Sequence, residues 1–130
     1  MHTIKAALAY WGAIFALGMV LGTLRVLWIA PSIGETRAVL IELPVMLAAS
    51  WFVAKGLVRR FGIRSTGQAL AMGALAFALL MASEAGLALV TGGSVSEWFG
   101  AMMRMPGALG LAGQVVFAVM PVLVINRVRA

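Results

Sequence analysis

Four stretches of this chain read as almost unbroken apolar runs, each long enough to cross a bilayer at about 20 residues per span. The first runs from about Ile4 to Ala30, where Pro31 is expected to stop it. Ser32 and Glu35 have capping-box spacing and open a second run that continues to about Val58, interrupted by Pro44. Ser65 and Gln68 repeat that spacing ahead of a third run, which ends at Thr91 before Gly92-Gly93. Ser94 and Glu97 repeat it once more before a shorter amphipathic stretch, too short to span, that ends at Pro106. Pro106 suits the first turn of a last run from Gly107 to about Ile125. The pattern predicts an all-α polytopic membrane protein with spans over about 4–30, 33–58, 66–91 and 107–126. They form one helical-bundle domain over residues 1–130, with a short interfacial helix over about 95–105. A cleaved leader is not expected, because the apolar stretch from Ala6 to Leu24 outruns a secretory core of about 7–15 residues.

Small residues mark the faces on which helices are expected to meet. Gly18 and Gly22 are four apart, and Arg25 continues their stripe, so Arg25 should face protein. Ala71, Ala74, Ala78, Ala82 and Ala85 form a stripe in the third run beside Glu84. Gly107, Gly110, Gln114 and Pro121 form another in the last run. Gly18, Gly22, Gly107 and Gly110 are therefore the candidate helix-packing residues. In the short amphipathic element Trp98, Phe99 and Met102 share one face and make a candidate lid.

Composition agrees with the pattern: 63% of the 130 residues are hydrophobic and 11% charged, where soluble domains are about a quarter charged. The net charge of +6 could suggest nucleic acid, but the basic residues stand beside the apolar runs, where they orient a membrane protein. No nucleic-acid partner is expected. With the N-terminus inside, Lys5, Lys55, Arg59, Arg60, Arg64, Arg127 and Arg129 fall on one side and Arg37 and Arg104 on the other. That bias predicts an inner-membrane, multi-pass chain with both termini cytoplasmic. Tyr10 and Trp11 are expected near the inner boundary, Trp28 and Trp98 near the outer.

The charges left inside the runs carry the candidate chemistry. A carboxylate at a bilayer centre costs about 2.5–3.5 kcal/mol, so Glu84 needs a partner or a task. From the expected outer helix ends, Arg25 lies about 8 Å down, Glu84 and Gln114 about 10 Å, and Glu42 about 14 Å. Arg25, Glu42, Glu84 and Gln114 are expected to form one buried layer in the outer half. Arg25 can neutralise one carboxylate, with Glu42 the nearer across the first turn, so Glu84 is expected to be the neutral or titrating member. Such a layer either only sets helix register or binds or relays a proton, ion or small polar ligand.

With no cysteine and a single histidine at position 2, neither a metal site nor a cofactor site is expected, and Met102, Met103 and Met105 read as apolar filler. No Ser/His pairing falls inside the spans, and an enzyme is not expected. A transporter or channel-like protein, as a homo-oligomer, is the first expectation. A non-catalytic accessory or assembly subunit of a larger membrane complex is the second.

Overall fold

The computed structural model describes residues 2–104 and 107–129, the last three by their backbone alone. The expected opening of the last helix by Pro106, the thioether of Met105 and the side chains of Arg127 and Arg129 lie outside the described residues. The described chain is almost wholly helical: α1 (His2–Ile33), α2 (Glu35–Phe61), α3 (Thr66–Val90), α4 (Val95–Met102) and α5 (Gly107–Arg129). Four of them, α1, α2, α3 and α5, are long and apolar enough to cross a membrane. α1 packs on α2 and on α3, and α5 packs on the same two, so α2 and α3 stand diagonally opposite although they are consecutive. α4 lies against α3 and α5.

Pro31 does not stop the first helix. The turn before it, Arg25–Ile29, widens into a π-turn in which the Ala30 N–H donates to the Arg25 carbonyl, and helix resumes over Ala30–Ile33. A proline lacks an N–H and crowds the carbonyl four residues back, and a wider turn absorbs both. The stop comes at Gly34, whose φ of +90° is open to glycine and closed to most other residues. Gly34, not Ser32, therefore precedes α2, and the expected Ser32/Glu35 capping box does not form; Ser32 Oγ donates instead to the Trp28 carbonyl at 3.0 Å. The Ser65/Gln68 box does form, each side chain accepting from the other residue's backbone N–H. Ser94 Oγ accepts from the Glu97 N–H at 3.1 Å and starts α4.

The tightly packed core occupies one end of the molecule, the end that holds the termini. It is built from Ala6, Tyr10 and Ile14 of α1, Ala54 and Val58 of α2, Met72 and Ala76 of α3 and Phe117, Val124 and Ile125 of α5. Beyond Ile14, no residue of α1 is fully buried. The closest approach is at Gly73, where an added Cβ would stand 1.8 Å from the Ala118 carbonyl oxygen. Only glycine lets α3 and α5 come that near. This fixes the rotation of α3 and corrects an expectation: Ala71, Ala74, Ala78 and Ala82 face outward, while Ala69, Met72, Gly73, Ala76 and Leu80 are buried. α3 is apolar on every side and carries two interleaved small-residue stripes, so periodicity does not choose between them.

Candidate functional site

Away from the termini the helices part and enclose a cavity of about 740 Å³, bounded by α1, α2, α3 and α5 with α4 across one end. Small-molecule sites span about 300–1,000 Å³ and are mostly apolar with a few convergent polar groups. This cavity fits that description. Phe15, Leu43, Met46 and Phe117 line it, and so do all four candidate residues: Arg25, Glu42, Glu84 and Gln114.

The four resolve into two pairs. Arg25 Nη1 donates to Glu42 Oε2 in an ion pair between α1 and α2. The two side chains keep 27% and 16% of their surface exposed. Arg25 is the first residue of the π-turn, and Gly22, one turn earlier, leaves open the space beside its guanidinium: a Cβ there would stand 3.7 Å from Nη2. Arg25 Nε is buried without a hydrogen-bond partner. π-turns gather at functional positions because the extra residue re-aims the side chains around it. The second pair joins α3 to α5: Gln114 Nε2 donates to Glu84 Oε1 at 2.5 Å. Among the described residues no cation forms an ion pair with Glu84. An amide can donate a hydrogen bond to a carboxylate but cannot neutralise it.

The expectation of a single layer assumed that the helix ends are level. Trp11 Nε1 donates to Ser83 Oγ at 3.0 Å, yet Trp11 lies 22 residues before Ile33 and Ser83 seven before Val90. α1 therefore runs well past the end of α3, and depth counted from helix ends does not compare Arg25 with Glu84. α2 and α5 are nearly in step, since Leu43 of one meets Gly113 of the other.

The other candidates divide. Trp98 and Met102 of α4 line the cavity, whereas Phe99 is exposed and turned away from it. α4 lays its Trp98, Ala101 and Met102 edge on the cavity, and an eight-residue helix can present only one such edge. Gly18 makes ordinary contact with Met46 across to α2; the one atom near Gly22 is the Arg25 guanidinium of its own helix, also at ordinary contact distance. Gly107 is tight, with an added Cβ 2.1 Å from the Ala101 carbonyl oxygen of α4. Gly110 packs against nothing within 4 Å and faces the cavity. The Gly107–Gln114 stripe is thus mainly cavity wall, because the inward-facing side of a helix is a contact only where a neighbour is close.

Sequence reading missed the polar device below the cavity. Tyr10 Oη donates to the Phe117 carbonyl at 2.7 Å, and their rings stack with centroids 4.2 Å apart. Pro121 stands four residues after Phe117 and has no N–H, so that carbonyl lacks its helical donor and the tyrosine supplies one. Tyr10, expected at a membrane boundary, is fully buried for this reason. The signal was present: a proline in a helix names the carbonyl it orphans. Glu35, expected as a helix cap, and Arg104, expected as an outer basic residue, also border the cavity, at its α4 end.

Compared with known protein families, with curated proteins and with solved structures, the chain matches none. Its chemistry is therefore read from the cavity alone: an apolar chamber with one neutralised ion pair and one carboxyl held only by an amide.

Proposed function

We propose that the protein is a small transporter or channel-like protein of the inner membrane, with α4 interfacial and both termini cytoplasmic. In this reading the four long helices form a membrane bundle whose cavity binds or relays a proton or small polar ligand from the outer side. The observation that carries it is the cavity of about 740 Å³ into which Arg25, Glu42, Glu84 and Gln114 all project. Charged side chains within spans are costly and gather where they line a pathway or face one another. At about 48 Å, the 32-residue α1 exceeds a hydrocarbon core of about 30 Å, so it crosses tilted, as its overhang past α3 supports.

Reconstituted into vesicles with an internal pH dye, the wild type is expected to move protons under an imposed potential or when an organic solute is supplied outside. Arg25→Ala and Glu84→Gln are each expected to abolish that movement while keeping the helical circular-dichroism spectrum. Unchanged flux in both variants contradicts the reading.

A second reading, an accessory subunit of a larger membrane complex, is favoured by the outward alanine face of α3, which stays exposed among the described residues. Gentle detergent extraction separates the two. A self-oligomer supports the transporter, and a stoichiometric unrelated partner supports the subunit.

A further inference from the structure

We infer that the cavity takes an amphipathic organic cation, an ammonium or guanidinium group on an apolar body of a few to about twenty heavy atoms. The inference rests on the reading of the cavity as a ligand site and specifies what that ligand is.

Size comes first. A space of about 740 Å³ is far larger than a dehydrated metal ion, and no cluster of three or more His, Cys, Asp or Glu stands together among the described residues. The occupant is an organic molecule. The walls then fix its body: Ile14, Phe15, Leu80, Leu111 and Phe117 offer hydrocarbon and aromatic surface, with Met46 as deformable filler.

Charge fixes its head. The cavity is bordered by two arginines, Arg25 and Arg104, and three glutamates, Glu35, Glu42 and Glu84. Arg25 is already neutralised by Glu42 and its one unpartnered nitrogen, Nε, is buried, so it offers a new anion little. Arg104 lies at the α4 end, as does Glu35 in the first turn of α2, and the two cancel in the count. Glu84 remains, with an amide donor and no cation. An anionic head would find either a repelling carboxylate or, with Glu84 protonated, no charge to pair with. A cationic head completes the pair that the protein leaves open. Phe15 and Trp98, both bordering the cavity and neither fully buried, are aromatic neighbours of the kind that favour a cation over an anion.

The test uses the full chain in nanodiscs of zwitterionic lipid and three probes with nearly the same body: 2-phenylethylammonium, 2-phenylethanol and 3-phenylpropanoate. Binding is read by isothermal titration and by saturation-transfer NMR. The ammonium is expected to bind at least about tenfold more tightly than the alcohol, and the carboxylate most weakly. Glu84→Gln, nearly isosteric, is expected to weaken the ammonium about 30-fold or more, whereas Glu84→Asp keeps the order of head groups and Glu97→Gln, on the exposed side of α4, changes nothing. Equal or tighter binding of the carboxylate or the alcohol overturns the cation while leaving a ligand site. So does ammonium binding that Glu84→Gln leaves unchanged. Binding of none of the three overturns the ligand site itself, and the cation with it.

Discussion

The same four helices behave differently at their two ends. At the end that holds the termini they meet closely enough that Gly73 sits against the Ala118 backbone, and the buried Tyr10 hydroxyl there has a dedicated partner in the Phe117 carbonyl. At the α4 end they part around a cavity, and the polar groups are charged, only partly buried and incompletely matched: Arg25 has an unpartnered Nε and Glu84 only an amide. The difference is instructive because hydrophobicity does not produce it. Each of the four long helices contains a stretch apolar enough to cross a membrane. What separates a packed half from a hollow one is where small residues permit contact and where charge is placed.

The contrast can be broken most severely at Gly73. Gly73→Ala drives a Cβ into a backbone carbonyl, which no rotamer can relieve, so a loss of about 3 kcal/mol or more is expected in unfolding from mixed micelles. A variant as stable as wild type would mean that α3 and α5 do not touch there. Next in size is the tyrosine. Tyr10→Phe leaves the Phe117 carbonyl buried without a donor and should cost about 1–3 kcal/mol. Pro121→Ala restores a helical N–H four residues on, so in the Tyr10→Phe background it should return most of that loss, and a double-mutant cycle should show strong coupling. Simple additivity would show that Tyr10 does not serve the carbonyl that Pro121 frees. Smallest, and opposite in sign, is Gly110→Ala. With nothing within 4 Å, it should gain about 0.5–1 kcal/mol from backbone entropy. One substitution type, destabilising at one end and stabilising at the other, is the plainest signature of the two halves.

The sequence made the packed half hard to read and the hollow half easier. Four helices long and apolar enough to span followed from run length, and the Ser65/Gln68 cap from its spacing, because both are local. The Arg25–Glu42 pair could be anticipated because each charge is conspicuous in an apolar run and the first turn is short, whereas the bond between Gln114 and Glu84 comes from the structure alone. The rotation of α3 was not legible: small residues stand on its outward face (Ala71, Ala74, Ala78, Ala82) and on its buried one (Ala69, Gly73, Ala76), and the contact at Gly73 tells them apart. Pro31 misled, because a proline ends a helix only where no wider turn can absorb it, and the π-turn at Arg25 does so. The single-layer picture failed in one respect, since counting from helix ends takes those ends to be level and α1 overruns α3.

The central claim is that the charged half encloses a cavity reachable from water while the other half is sealed. The chain has no cysteine, so a single introduced thiol reports its own surroundings without background. Met46 lines the cavity, and Met72 is fully buried in the packed half. In intact cells, a charged, membrane-impermeant thiol reagent added outside is predicted to label Met46→Cys and to leave Met72→Cys unmodified. Labelling of both to the same extent, or of Met72→Cys alone, or of neither, would contradict the account.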